Sequence, residues 1–224
     1  MNYRRIVPNS ISSFSLILGI LSMFKSVEGD FYYAAVFIIL AMIADSMDGR
    51  AARLLGVSGE FGKELDSLCD LCSFGVAPAI MIYLYGMTDL GLTGQVIAAL
   101  FTVGGAMRLA RFNVNAAEVH GYFQGMPIPA GATCLATFVL SGMQLSSCYV
   151  AVLTLVVAVI MYSNIKFPDC KGKGNPLFLA PTVVGLVIGA AVLWQNLSAW
   201  MFVAMFTYTI VGIINWIYTL VMHK

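Results

Sequence analysis

Apolar runs long enough to cross a bilayer follow one another along almost the whole chain. Only 10% of its 224 residues are charged, whereas a soluble domain carries about 25%. A membrane-crossing helix needs about 20 apolar residues, so this length leaves no room for a second, soluble domain. We predict an all-α fold: one polytopic membrane bundle over residues 1–224. Its eight spans are predicted at Ser10–Phe24, Phe31–Leu55, Leu65–Tyr85, Thr93–Phe112, Ala130–Met143, Cys148–Ile165, Phe178–Trp194 and Ala199–Met222.

Basic residues indicate how this bundle is oriented. With eight spans, 11 of the 12 lysines and arginines fall on the face that holds both termini, and Lys25 lies on the other. Positively charged connections stay in the cytoplasm, so we predict cytoplasmic termini. Fusing spans five and six would place Lys166–Lys173 opposite Arg108–His120 and remove the bias. The charge pattern therefore favours eight spans over seven.

Charged residues are concentrated where spans two and three approach the cytoplasm. The 26 residues from Asp45 to Asp70 hold nine of the 23 charged side chains, and six of the nine are acidic. One aspartate at the centre of a membrane helix costs about 2.5 to 3.5 kcal/mol. A cluster of acids in such surroundings indicates a functional site.

Helix geometry places these acids on two matching stripes. On span two, a face about 140° wide holds Asp45, Asp48, Gly49, Ala52 and Arg53. On span three, a stripe about 80° wide holds Gly62, Asp66 and Asp70. The short connection Gly56–Glu60 lets the stripes face each other near the cytoplasmic surface. We therefore predict that four carboxylates converge on one cavity.

The predicted chemistry of these stripes depends on their four aspartates. Carboxylates this close repel one another unless protons or a cation neutralise them. Oxygen ligands without histidine or cysteine favour Mg²⁺, Mn²⁺ or Ca²⁺ over zinc, and two such ions would clamp a diphosphate during displacement at phosphorus. Gly49, Ala52 and Gly62 leave space for the ligand, and Arg53 is placed to meet phosphate charge. A solvated helix end paired with nearby basic residues is the competing explanation, which two matched stripes disfavour.

The same residues carry a family resemblance. The sequence resembles the CDP-alcohol phosphotransferase signature D-x2-D-G-x2-A-R-x8-G-x3-D-x3-D at every fixed position. The first part of the signature corresponds to Asp45–Arg53 and the second part, after eight residues, to Gly62–Asp70. The resemblance implies that a CDP-linked donor is cleaved at its diphosphate, that CMP leaves and that Asp70 is the general base of a homodimeric enzyme. It implies two divalent ions held by Asp45, Asp48, Asp66 and Asp70. It places the CDP group on Asn9, Asp45, Gly49, Ala52, Arg53, Gly62 and Asp66.

Two further segments indicate which acceptor the enzyme uses. Arg108 to Asn113, followed by Gly125 to Ala130, is similar to the membrane-bound phosphatidylserine synthases of that family. The resemblance implies L-serine as the acceptor, with Arg108, Arg111 and Asn113 as its binding residues. A free amino acid brings a carboxylate that needs a cationic partner, and the two arginines lie one turn apart. Membrane anchoring or contact with lipid phosphate is their other interpretation.

Other functions compete with this one. Within the same chemistry the acceptor could be glycerol phosphate, inositol or inositol phosphate. A membrane prenyltransferase also binds a metal diphosphate through aspartates, but its N-D-x2-D-x3-D pattern leaves Gly49, Ala52 and Arg53 unexplained. A cation transporter needs acids throughout the membrane, and predicted spans five to eight contain none. The net charge of +1 gives no reason to expect a nucleic-acid partner. We therefore predict a membrane enzyme that transfers a phosphatidyl or archaetidyl group from a CDP-lipid to serine.

Overall fold

The computed structural model describes residues 6–57, 59–115, 122–168 and 199–222, with positions 183, 184, 187, 188, 190, 191 and 194 between them. The regular elements of this part of the chain are α1 (Ile6–Val27), α2 (Phe31–Leu55), α3 (Glu60–Asp70), a π-helical turn (Leu71–Val76), α4 (Ala77–Gly86), a 3₁₀ turn (Thr88–Leu90), α5 (Leu92–Asn115), β1 (Tyr122–Gln124), α6 (Ile128–Leu140), α7 (Ser147–Tyr162), β2 (Lys166–Pro168) and α8 (Trp200–Met222).

Helices long and apolar enough to cross a membrane dominate this structure. Five segments meet that description in the described residues, namely Ile6–Val27, Phe31–Leu55, Glu60–Gly86, Leu92–Asn115 and Trp200–Tyr218. Helices α6 and α7 are apolar but shorter, with 13 and 16 residues. The chain is therefore a helical integral-membrane protein, as predicted. Ten of the 17 residues of the predicted seventh span, Phe178–Trp194, lie outside the described residues, so the count of eight stays a prediction.

Two local features differ from the predicted pattern of apolar helices. The third helical segment begins at Glu60 rather than at the predicted Leu65, because an amphipathic turn with Gly59 at its N-cap extends the helix beyond the apolar run. The strands β1 and β2 also pair in an antiparallel ribbon, with Phe123 opposite Phe167. Neither feature changes the helical class, and the first brings Gly62 onto the same helix as the acids.

Helix α1 packs against α2 through small side chains. Its buried residues recur every three or four positions, and they include Ser12, Ser15, Gly19, Ser22 and Ser26. Small residues at this spacing let helix backbones approach closely in a membrane. The Ser15 hydroxyl donates to the Ala41 carbonyl of α2 at 3.1 Å. This packing fixes the height of the α1 N-terminus beside Asp45 and Asp48.

The π-helical turn Leu71–Val76 begins directly after Asp70. At this level α1 approaches so closely that a Cβ atom placed on Gly19 would lie 2.7 Å from the Cα atom of Ser73. The Ser73 hydroxyl donates to the carbonyl of Ser15 at 3.0 Å. Wide turns of this kind are frequent at functional sites. Here the turn and its contacts with α1 hold the acidic end of α3 against α1 and α2.

The other side of the bundle consists of α5 to α8. Helix α5 lies against α7, and a Cβ atom on Gly104 would be 2.9 Å from the Ala158 carbonyl oxygen. Helix α6 is buried along most of its length. Gly212 of α8 packs directly on the ring of Phe167 in β2. These contacts support the C-terminal half of α5, which carries the two predicted acceptor-binding arginines.

Candidate active site

Carboxylates from two helices meet where α2 and α3 face each other. Asp45 and Asp48 of α2 and Asp66 of α3 each offer an oxygen atom that lies within 4.8 Å of the other two. Asp48 is only 7% exposed, and the other two are partly buried. The two predicted stripes therefore do face each other. Three negative charges at this distance favour binding of a cation.

The fourth aspartate, Asp70, lies one helical turn further along α3. Its side chain is 9% exposed. It interacts electrostatically with Asp45, Asp66 and the guanidinium group of Arg108. Asp70 therefore connects the acidic cluster on α2 and α3 with the arginine on α5.

A cavity of about 240 Å³ opens beside the acidic cluster. Helices α1, α2 and α3 and the connection between α2 and α3 form its wall. The lining residues are Pro8, Asn9, Ser12, Asp48, Gly49, Ala52, Arg53, Val57, Gly59, Gly62, Lys63 and Asp66. It combines carboxylates with the basic side chains of Arg53 and Lys63. This composition suits a ligand that carries both phosphate groups and bound cations.

Two glycines keep the cavity accessible to a ligand. A Cβ atom on Gly62 would lie 3.4 Å from Asn9 Oδ1, and one on Gly49 would lie 3.6 Å from Arg53 Nη1. Both would be ordinary van der Waals contacts, so the backbone itself does not require glycine here. A side chain at either position would nevertheless occupy the space between the helix and these two polar groups. The glycines thus leave Asn9 and Arg53 free to approach a bound molecule.

Arg108 of α5 does not line this cavity, and its guanidinium group interacts electrostatically with Asp70. It is 6% exposed, and its guanidinium carbon sits 5.0 Å from the centre of the Phe112 ring. Its Nε atom is buried and has no hydrogen-bond partner among the described residues. A buried donor without a partner is costly, at about 1 to 3 kcal/mol, unless a ligand supplies an acceptor. This arginine is therefore suited to bind an anionic group next to Asp70.

Arg111 has different surroundings from Arg108. Its guanidinium group donates to the carbonyl oxygens of Tyr162, Ser163 and Gln124 and to Asn164 Oδ1, at 2.8 to 3.2 Å. It also lies 5.0 Å from the centre of the Tyr162 ring. These bonds fasten α5 to β1 and to the end of α7. The two predicted acceptor-binding arginines thus differ. Arg108 is buried and has an unpartnered nitrogen among the described residues, whereas Arg111 bonds to the backbone of neighbouring segments.

Asn113, the third predicted acceptor-binding residue, is joined to α3. Its amide nitrogen donates to Ser67 Oγ at 2.8 Å. Ser67 lies between Asp66 and Asp70 in the sequence, so this bond ties the acidic stripe of α3 to α5.

Comparison with known proteins agrees with this geometry. The sequence model described as CDP-alcohol phosphatidyltransferase matches residues 5–164, which include the whole acidic cluster and its cavity. The chain belongs to the CDP-alcohol phosphatidyltransferase family. The resemblance seen in the signature residues is thereby confirmed.

Relatives within this family share most of their length with the chain. It is 35% identical over 223 residues to the CDP-diacylglycerol–serine O-phosphatidyltransferase of Helicobacter pylori strain J99, covering 96% of this chain and 92% of the relative. It is 33% identical over 171 residues to the protein of that name from Bacillus subtilis, covering 76% and 93%. It is 37% identical over 171 residues to the archaetidylserine synthase of Methanothermobacter thermautotrophicus, covering 75% and 72%.

The family signature corresponds closely to the observed site. Six of its eight fixed positions line the cavity, namely Asp48, Gly49, Ala52, Arg53, Gly62 and Asp66. Of the other two, Asp45 belongs to the three-carboxylate cluster, and Asp70 interacts with it. The carboxylate oxygens of the cluster are the hard ligands that Mg²⁺, Mn²⁺ and Ca²⁺ prefer. The residues present therefore fit the divalent metal that the family implies.

Several lining residues were not among the predicted site residues. The most closely engaged is Ser12, whose hydroxyl donates to Asp48 Oδ2 at 2.5 Å. Pro8, Lys63, Val57 and Gly59 also border the cavity. The sequence contains a signal for Ser12, because it belongs to the row of small residues that recurs along one face of α1. That row indicates a buried face and does not identify the partner of each hydroxyl.

Proposed function

We propose that this protein is an integral-membrane enzyme that transfers a phosphatidyl or archaetidyl group from a CDP-activated lipid to the hydroxyl of L-serine, releasing CMP. The observation that carries the proposal is the cavity in which carboxylates and basic side chains lie together, with Asp70 linking the acidic cluster to a buried arginine. Family membership supports the phosphotransfer. The names of the bacterial and archaeal relatives support serine as the acceptor.

Two divalent cations, Mg²⁺, Mn²⁺ or Ca²⁺, belong to this proposal. Asp45, Asp48 and Asp66 would hold them, with Asp70 as the fourth ligand. When bound, such ions neutralise the diphosphate and stabilise the charge that develops as the phosphoryl group moves. The distances among the first three carboxylates support this assignment.

The CDP group of the donor occupies the cavity between α1, α2 and α3. Arg53 donates to its phosphate oxygens, and Lys63 provides a second positive charge on the cavity wall. Gly49, Ala52 and Gly62 keep the wall shallow, so the diphosphate lies close to the backbone. Asn9, across from Gly62, contacts the nucleotide with its side-chain amide.

Asp70 removes the proton from the serine hydroxyl as its oxygen attacks the phosphorus on the lipid side. A serine hydroxyl is a poor nucleophile at neutral pH, and a carboxylate within reach raises the rate by about 10² to 10⁴. Asp70 is buried and lies between the acidic cluster and Arg108. A serine bound to Arg108 would therefore have its hydroxyl near Asp70 and the donor phosphate beyond it.

Arg108 is the proposed partner of the serine carboxylate. The guanidinium is buried and its Nε lacks a partner among the described residues, so an incoming carboxylate would complete its hydrogen bonding. Arg111 and Asn113 were also predicted to bind serine. Their observed hydrogen bonds to protein groups favour an indirect contribution, in which they hold α5, β1 and α3 around the acceptor.

The remaining parts of the proposal concern topology and assembly. The charge distribution supports eight spans with both termini and the active site on the cytoplasmic side. Resemblance to the family supports a homodimer. A single domain over residues 1–224 is proposed because the relative from H. pylori covers nearly the whole chain.

Offering the purified protein different acceptors tests this function. CMP release from CDP-diacylglycerol should depend on L-serine. It should not be supported by glycerol phosphate, inositol or inositol phosphate. Release of CMP with one of these acceptors and not with serine would assign the enzyme to another branch of the family.

A further inference from the structure

The hydroxyl of Ser12 forms a hydrogen bond between α1 and the acidic cluster. It donates to Asp48 Oδ2 at 2.5 Å, and it lies 3.2 Å from the carbonyl oxygen of Pro8. Ser12 is 5% exposed and also lines the cavity. A side chain from a different helix thus contacts one of the three clustered carboxylates directly.

The Ser12 hydroxyl has one proton, and it donates this proton in a hydrogen bond to Asp48 rather than to the Pro8 carbonyl. In a regular helix the Pro8 carbonyl already accepts from the backbone N–H of Ser12, four residues later. A carboxylate is also the stronger acceptor, because hydrogen bonds to ionised groups are shorter and about twice as strong as neutral ones. Ser12 therefore holds one oxygen of Asp48, a member of the three-carboxylate cluster.

We propose that Ser12 is a positioning residue that orients Asp48 for metal binding, a role that rests on the function proposed above. Groups that hydrogen-bond to metal ligands fix the direction of the ligand, and their removal typically lowers metal affinity or activity by about 10- to 100-fold. Asp48 is 7% exposed, and a hydrogen bond to a buried carboxylate is stronger than the same bond in water.

Ser15 provides a matched control on the same helix face. It is also a buried serine of α1, and its hydroxyl also bonds across to α2, at 3.1 Å. Its partner is the carbonyl oxygen of Ala41 and not a carboxylate of the cluster. Ser12→Ala and Ser15→Ala each remove one buried hydroxyl and one hydrogen bond between the same helices. Only Ser12→Ala removes a hydrogen bond to a proposed metal ligand.

Metal binding by the purified protein in detergent tests the proposal without relying on turnover. The signal of free Mn²⁺ in electron paramagnetic resonance, followed during titration with protein, gives the dissociation constant. Ser12→Ala should raise it about 10- to 100-fold, whereas Ser15→Ala should stay within about threefold of the wild type. Equal constants for the two variants would overturn the positioning role. A wild-type protein that binds no Mn²⁺ would instead overturn the metal site itself.

Two further measurements separate positioning from damage to the fold. Ser12→Cys nearly keeps the side-chain volume but donates a much weaker hydrogen bond, so its Mn²⁺ affinity should also fall. In activity assays with Ser12→Ala, the Mn²⁺ concentration at half-maximal rate should rise, and kcat should recover at saturating Mn²⁺. A kcat that stays low at saturating metal, with an unshifted half-maximal concentration, would show that Ser12 acts in another way.

Discussion

Replacing Arg108 by alanine tests how the acceptor is recognised. The guanidinium is 6% exposed, its Nε has no partner among the described residues, and the side chain does not line the donor cavity. A hydrogen bond to a charged group contributes about 1.5 to 3 kcal/mol. Its loss should therefore raise the KM for serine about 10- to 100-fold. The KM for the CDP-lipid should barely change.

The assay measures CMP release while serine and CDP-diacylglycerol are varied in turn. Ethanolamine, which has the hydroxyl and the amine of serine without the carboxylate, is the comparison acceptor. Arg108→Ala should reduce the preference for serine over ethanolamine, because only serine loses a contact. Arg108→Lys, which keeps the charge beside Asp70 but loses the planar fork, should have an intermediate KM.

Arg111→Ala is the matched control for this experiment. Its hydrogen bonds go to protein carbonyls and an amide, so its loss should lower thermal stability in detergent more than it raises the serine KM. The reasoning would be refuted if Arg108→Ala changed only the KM of the CDP-lipid. It would also be refuted if Arg111→Ala alone abolished the preference for serine over ethanolamine.

Three further outcomes follow from the site. Turnover should stop in excess chelator, and Asp66→Asn, which keeps the shape but removes a ligand charge, should need far more Mn²⁺; full turnover under either condition would contradict a metal site. Asp70→Asn should keep CDP-lipid binding while the single-turnover rate falls about 10² to 10⁴-fold, and a near-normal rate would exclude it as the base. Gly125→Ala should lower the free energy of unfolding by about 1 to 3 kcal/mol, because Gly125 has φ of 76° and its Cβ would collide with the Met161 carbonyl. An unchanged Tm would show that the turn adapts.

The acidic site was predictable from sequence because it depends on local helix geometry. With 3.6 residues per turn, Asp45 and Asp48 fall on one face of α2, and Asp66 falls on one face of α3. The short connection between these helices leaves few ways to arrange the two faces. Asp70 was predicted as part of the same cage, and it lies outside the cluster of three, one helical turn beyond Asp66. Four residues along a helix correspond to a rise of about 6 Å, which separates Asp66 and Asp70 along the axis.

The different surroundings of the two arginines could not be predicted from periodicity. Arg108 and Arg111 are three residues apart and project from similar faces of α5. Their surroundings differ because β1 and the end of α7, which are distant in the sequence, supply the acceptors for Arg111. The positive φ of Gly125 lets the chain turn directly beneath the Arg111 guanidinium, and such contacts between remote segments leave no periodic pattern.

The hydrogen-bond partner of Ser12 could not be predicted from periodicity either. Its place in a row of small residues indicates that it is buried against another helix. Whether its hydroxyl meets a backbone carbonyl, as for Ser15, or a carboxylate depends on the exact height of α1 beside α2. That height is set by other contacts along α1, including the approach of Gly19 to Ser73.

The central claim is that the serine hydroxyl oxygen attacks the phosphorus on the lipid side of the donor. Incubation of the purified protein with CDP-diacylglycerol and L-serine labelled with ¹⁸O in its hydroxyl, followed by mass spectrometry of both products, tests it directly. We predict that the label appears in a serine-containing phospholipid and that CMP carries none. Label in the nucleotide, or the absence of a serine-containing lipid, would contradict the proposed reaction.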